Sequence, residues 1–288
     1  MNPRALVGRT IRRIGDIAGR AYVPGAELAD ALRIARPLAA AGFSTTFGYF
    51  HDWRESPERM VEILRSSIDA VAALQPQGYV SAKAPGFRYA PGAVEAIADA
   101  ARSHDIVAHF DSHEHMTADA TWECVRQCVE AGAKTGLSIP GRWQRSPDDA
   151  GMAAELGLRV RVVKGEWGDP GAPRLDPRAG FLTVIDRLAG KAREVAVASH
   201  DLELVRTALQ RLQAAGTPCE LELLYGLPRT RLIALGRELG VSIRLYVPYG
   251  ASWRPYAISK ALHNPKIFWW LARDSVLGAL PSLRGRRP

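Results

Sequence analysis

Eight side chains able to carry charge or move a proton stand at or just past the ends of short apolar runs: Lys83, Asp111, Lys164, His200, Asp201, Glu222, Tyr225 and Tyr246. Cations, carboxylates and phenols gathered at one place suit three tasks: fixing an anionic group, stabilising charge that develops in a reaction, and relaying a proton. A packed interior does not take up so many ionisable groups without partners, so their gathering calls for a bound ligand. A second cluster, His109-Phe110-Asp111-Ser112-His113-Glu114-His115, alternates histidine with aspartate. Alternate residues of a strand face the same way and can share a metal, which keeps open a metal-dependent hydrolase using Lys164 and His200 from later runs. No late aspartate completes that ligand set, and His113 and His115 are expected beyond the strand, in a loop.

The runs that would carry these groups span residues 43–50, 78–83, 106–111, 135–140, 159–164, 194–200, 219–225 and 241–246. They are short and either alternating or continuously apolar, as buried parallel strands are. Between them lie Ala- and Leu-rich segments with apolar residues every three or four positions, as at 94–103, 121–131, 202–214 and 230–239, with Gly216 and Gly240 as stop signals. Eight strand–helix units in succession predict an α/β fold, a (β/α)8 TIM-type barrel with an N-terminal helical extension and a C-terminal helix. In that fold all strand C-termini form one rim, and the chemical groups fall there.

A chain of 288 residues with 47% hydrophobic content can build such a core as a single domain over 1–288, with the barrel at about 40–265. The net charge of +8 is concentrated at the ends, in Arg12, Arg13 and Arg20 and in Arg284, Arg286 and Arg287, which does not make a nucleic-acid face. With Ile267-Phe268-Trp269-Trp270-Leu271 nearby, the basic C-terminus has two readings: a helix packed on the barrel, or peripheral contact with an anionic membrane surface. No apolar run of about 18 residues and no signal-peptide pattern is present, so a soluble cytoplasmic protein is expected. Cys124, Cys128 and Cys219 read as structural thiols, and no metal site is expected.

Several motifs then fall in a telling order: Ala21-Tyr22-Val23-Pro24-Gly25, Ser81-Ala82-Lys83, Arg159-Val160-Arg161-Val162-Val163-Lys164-Gly165-Glu166-Trp167, Ala198-Ser199-His200-Asp201, Glu220-Leu221-Glu222-Leu223-Leu224-Tyr225-Gly226 and Leu245-Tyr246-Val247-Pro248-Tyr249-Gly250. In this order and spacing the chain resembles the proline dehydrogenases, flavin-dependent barrels that open proline catabolism. The resemblance implies non-covalent FAD across the strand C-termini and oxidation of proline, or a related cyclic or secondary amine, to the imine by hydride transfer. Electrons would pass to a quinone-like acceptor.

Carried over residue by residue, Arg161 would sit near the flavin N5, and Val163, Gly165 and Trp167 would line the ring and ribityl chain. Ser199, His200 and Asp201 would hold the pyrophosphate region, with Glu222 and Leu224 also against the cofactor. Lys83, Asp111, Arg161, Tyr246 and Lys260 would form the catalytic set. Substrate would meet Lys83, Leu224, Tyr246, Tyr256, Ser259, Lys260 and His263.

The chain departs from the family where an adjacent arginine pair clamps the substrate carboxylate. Ser259-Lys260 stands there, with His263 in place of a glutamate. Lysine neutralises a carboxylate but lacks the planar two-point fork of arginine. Pro140 replaces a glutamine, Asp201 an asparagine and Glu222 a glutamine, and the last two add negative charge beside a phosphate-bearing cofactor. These departures keep two further readings open: action on a modified or carrier-bound proline analogue, and a barrel that has lost redox activity and serves as a scaffold.

Overall fold

The computed structural model describes residues 24–252 except Trp53. Helix α1 (Leu28–Ala40) precedes strand β1 (Ser44–Tyr49), and α2 (Pro57–Ala72), β2 (Tyr79–Ala82), α3 (Pro91–Ser103), β3 (Ala108–Phe110), α4 (Ala118–Glu130) and β4 (Thr135–Pro140) follow. The second half runs α5 (Ser146–Glu155), β5 (Arg159–Val163), α6 (Pro177–Leu188), β6 (Glu194–Ala198), α7 (Leu202–Ala214), β7 (Cys219–Leu224), α8 (Thr230–Glu238) and β8 (Ser242–Tyr249). All strands are parallel, and the sheet closes by pairing β1 with β8 from Ser44↔Arg244 to Tyr49↔Tyr249. This is the (β/α)8 barrel that the rhythm of the sequence predicts.

Local chemistry sets the helix starts. Ser56 accepts from the Arg59 amide ahead of α2, Asp176 accepts from the amides of Arg178 and Ala179 ahead of α6, and proline occupies the first position of α2, α3 and α6. Along each strand, alternate side chains point outward under the helices: Val160 and Val162, Val195 and Val197, Leu221 and Leu223, Leu245 and Val247 are all essentially unexposed. Each such side chain contributes about 1.5–3 kcal/mol by leaving water.

Two strands differ most from expectation. The third strand is three residues long because Ile106 and Val107 lead into it from a turn and Asp111 lies past its last paired residue. The eighth runs three residues beyond Tyr246, through Pro248, because β1 offers it a full six-residue partner; proline reads as a strand stop in sequence alone. Among the described residues, no helix is long and apolar enough to cross a membrane.

Candidate active site at the barrel mouth

Inside the barrel, residues two apart on one strand face the same way, so His109 and Asp111, Arg159 and Arg161, Glu220 and Glu222, and Arg244 and Tyr246 stack as an upper and a lower tier. Arg161 is the hub of the upper tier. Its Nε donates to Ser138 Oγ (2.9 Å), which stands directly opposite it across the β4–β5 pairing. One Nη donates to Glu222 Oε1 (3.1 Å), and the other donates to Ser81 Oγ (2.9 Å) and to Asp111.

Asp111 also accepts from Lys83 Nζ (3.2 Å), from the Tyr246 hydroxyl (3.2 Å) and from Ser138 Oγ (3.3 Å). Lys83 donates to Tyr246 as well (3.2 Å), and its ammonium lies 4.1 Å from the centre of the Phe50 ring. The Tyr246 ring has room to stand there because position 48 is glycine: a Cβ on Gly48 would run into its hydroxyl and ring carbons.

The charges reset one another. Burial opposes ionisation of Asp111, but the charges of Arg161 and Lys83 overcome it and hold the carboxyl well below the usual range. Burial lowers the Lys83 pKa, and the Asp111 charge works against that shift. Burial and then Asp111 push the Tyr246 hydroxyl far up, so it stays protonated.

The lower tier locks the barrel floor. Arg159 donates to Glu194 (3.1 Å), to the Tyr79 hydroxyl (2.8 Å) and to Glu220, and Arg244 donates to Glu220 (2.6 Å) and to the Thr45 carbonyl (3.0 Å). Tyr79 donates upward to Glu222 (2.8 Å), which ties the tiers together. Each buried cation thus has a carboxylate partner, the condition on which charges survive inside a protein.

Two adjoining hollows open above this network. The larger, about 900 Å³, is lined by Lys83, Arg142, Lys164, Gly165 and Trp167 among others; the smaller, about 260 Å³, by Arg161, His200, Glu222, Leu224 and Tyr246. Phe50, Asp111 and Val163 border both. Together they match the size and mixed lining of a small-molecule or cofactor cleft.

The outer rim of β4–β6 is cationic. Lys164 and Arg178 both reach Asp201, Lys164 at 3.8 Å. Burial, Arg178 and Arg142 all lower the Lys164 pKa, a sign of crowded positive charge. Arg142 donates one Nη to the Glu166 carbonyl (3.3 Å), while its buried Nε has no partner among the described residues. A rim on which three cations crowd, one of them with an unspent donor, fits an anionic group such as a pyrophosphate. The helix start beside it is already engaged: Asp201 caps α7 through the Leu204 amide (3.3 Å), and Ser199 Oγ accepts from the Asp201 amide (3.2 Å). His200 is spent on the Pro228 carbonyl (3.0 Å) and the Leu224 amide (3.0 Å), with Nδ1 as donor and Nε2 as acceptor.

Gly165 has a reason of its own, since its φ of +87° favours glycine and a Cβ there would lie 2.7 Å from Pro140 Cβ. Trp167 stacks on His113 at 4.4 Å. The expected charge excess at Glu222 and Asp201 is offset on site, by Arg161 for the first and by Arg178 and Lys164 for the second.

The structure therefore brings together Lys83, Asp111, Arg161, Val163, Glu222, Leu224 and Tyr246, and places Gly165, Trp167, His200 and Lys164 around them. Tyr256, Ser259, Lys260 and His263 lie outside the described residues, as do 21–23, the terminal arginines and 267–271. The histidine cluster disperses: His109 bonds Ser138 (3.0 Å) inside the barrel, His113 stacks on Trp167, and His115 packs on Trp143. Among the described residues no group of three or more His, Cys, Asp or Glu could hold a metal. Phe50, Tyr79, Ser81, Ser138, Arg159, Glu220 and Arg244 join the site without a role that the motifs assign, although most stand two residues from a named one on the same strand face.

No family model matches the chain. It is 24% identical over 265 residues to proline dehydrogenase 1 of Bacillus subtilis, covering 86% of this chain and 87% of the relative. To the proline dehydrogenase of Deinococcus radiodurans it is 23% identical over 266 residues, covering 85% and 86%. Among solved structures, proline utilization A from Bdellovibrio bacteriovorus superposes with a TM-score of 0.74 at 16% identity, covering 90% of this chain and 34% of that one. Proline utilization A from Bradyrhizobium japonicum superposes with a TM-score of 0.69 at 16% identity, covering 85% and 30%. The chain spans about a third of the length of these solved proteins, so they speak to the shared barrel. Along most of its length the chain is thus similar to proline dehydrogenases, and the barrel with its ordered rim motifs is that of a proline dehydrogenase-like oxidoreductase.

Proposed function

We propose that the chain is an FAD-dependent dehydrogenase that oxidises proline, or a related cyclic secondary amine, to its imine. The observation that carries this reading is the convergence of Lys83, Asp111, Arg161 and Tyr246 beneath a cleft with a cationic outer rim. Bound FAD would supply the hydride acceptor. Lys164, Arg142 and Arg178 would hold its pyrophosphate, with Val163, Gly165 and Trp167 along the elongated part of the cleft.

This chain's own residues would prepare the amine. Tyr246, fixed by Lys83 and Asp111, offers an aromatic face at the smaller hollow, with Leu224 and Val163 as apolar walls. Arg161, held from four sides, cannot swing toward solvent, so its field is preorganised for charge that builds up next to it. Lys83 and Lys260 are the proposed cations for a substrate carboxylate, and Tyr256, Ser259 and His263 are assigned to the substrate by the resemblance alone. The amine must be neutral before its neighbouring carbon releases a hydride, because a protonated nitrogen has no lone pair to expel it. A quinone-like molecule is the proposed electron acceptor, met on the cytoplasmic side of a membrane through the basic, aromatic C-terminus.

The test is product formation. Flavin-loaded protein incubated with L-proline and a soluble quinone should yield an imine that an added nucleophile traps, and flavin-stripped protein should not. Absence of product from flavin-loaded protein with proline and with its carboxyl-blocked analogues would overturn the reading.

A further inference from the structure

Glu222 is buried to 2% exposure, borders the smaller hollow, and is held from both sides, by Arg161 at 3.1 Å and by the Tyr79 hydroxyl at 2.8 Å. Neither bond needs a full negative charge: a neutral side chain of the same shape could accept from Arg161 and engage Tyr79. The charge is therefore the property with a consequence. Arg161 carries one positive charge and faces two carboxylates, Asp111 and Glu222, while Lys83 adds one more positive charge to the same cluster. With a carboxylate at position 222 the charges of the four side chains sum to zero, and with a neutral residue there they would sum to +1. All four groups are nine-tenths buried or close to it, where bulk salt and water screen them little.

We propose that Glu222 is a charge-setting residue that cancels Arg161 toward the cavity and so holds down the reduction potential of a flavin bound there. This inference rests on the flavin reading above. Reduction adds negative charge to the flavin ring, so a net-positive wall favours the reduced form and a neutral wall does not. Arg161 then retains its fixed geometry toward the reacting atoms while losing most of its long-range field. Tyr79 and the Arg159–Glu220 floor keep Glu222 from turning away, so the cancellation is permanent.

The experiment is a spectroelectrochemical titration of the full-length, FAD-loaded protein and its Glu222→Gln variant. The variant should show a more positive midpoint, with the equilibrium constant for two-electron reduction changed about tenfold, which corresponds to about 30 mV. Glu222→Asp, which keeps the charge, should stay nearer the wild type. An unchanged or more negative midpoint for Glu222→Gln in a flavin-loaded protein overturns this inference alone. Wild-type protein that takes up no flavin overturns it together with the flavin reading. Should Glu222→Gln not hold its fold, Glu222→Met, which removes the same charge at similar volume, decides the matter: a positive shift supports the proposal and no shift overturns it.

Discussion

Asp111→Asn should destabilise the protein in a way that fades as the solution becomes more alkaline. The wild-type carboxylate accepts from Arg161, from Lys83 at 3.2 Å, from Tyr246 at 3.2 Å and from Ser138 at 3.3 Å. Asparagine keeps the volume but strips the charge. Arg161 retains Glu222, whereas Lys83 retains the Tyr246 hydroxyl and the Phe50 ring but no carboxylate among its described contacts. Removing one partner of a buried ion pair costs about 3–5 kcal/mol. With a denaturant slope of roughly 3 kcal/mol per molar urea, the unfolding midpoint at pH 6 should fall by roughly 1–1.7 M.

The sign of the pH dependence follows from Lys83. Its pKa is lowered by burial and propped up by Asp111, so the variant loses the prop and the pKa falls further. Between that value and the ordinary lysine pKa of about 10.4 the unfolded chain binds more protons than the folded one, so stability rises with pH. The gap between variant and wild type should therefore narrow on going from pH 6 to pH 9.5. It should narrow in acid too: the Asp111 pKa is depressed in the fold, so its contribution is complete above the ordinary carboxylate value of about 4 and is lost as pH falls below it. Urea titrations at pH 3, 6 and 9.5 are the assay. A cost under about 1 kcal/mol at pH 6, or one that does not change with pH, would show that Lys83 and Asp111 are not the coupled buried pair described above.

Gly165→Ala meets both a left-handed φ of +87° and Pro140 Cβ at 2.7 Å, so it should lose about 1–3 kcal/mol and several degrees of thermal midpoint, read by calorimetry. Asp201→Asn releases Lys164 and Arg178 from their shared carboxylate; apoprotein titrated with FAD should bind it several-fold more tightly, with a steeper salt dependence, and unchanged affinity would remove those cations from the cofactor site. Lys260→Ala should raise KM for a carboxylated substrate much more than for its amide, and equal effects would refute the carboxylate role.

The sequence showed most of the barrel because strand and helix periods differ and alternate eight times, and because Gly216 and Gly240 mark helix ends. It showed the upper tier of the mouth through motif order, which singles out Lys83, Arg161, Glu222 and Tyr246, and through Asp111 as the charged end of the third apolar run. The lower tier was open to the same reading, since Arg159, Glu220 and Arg244 each stand two residues before a named group. Its purpose is not visible without the fold: which carboxylate meets which guanidinium depends on strand stagger around a closed sheet, and residues as far apart as Arg159 and Glu220 meet only there. The same holds for Glu222 and Asp201. As substitutions in a motif they read as surplus negative charge, and only the positions of Arg161 and Arg178 show that each is neutralised where it stands. Pro248 inside β8 and the short β3 were hidden because pairing, rather than residue preference, sets those strand lengths.

The central claim, a flavin-bearing amine dehydrogenase, is tested most directly by the visible absorption spectrum of the purified full-length protein before and after anaerobic addition of L-proline. Flavin bands that bleach on addition are the expected result. A protein that carries no flavin bands, and gains none when incubated with FAD, would contradict the account.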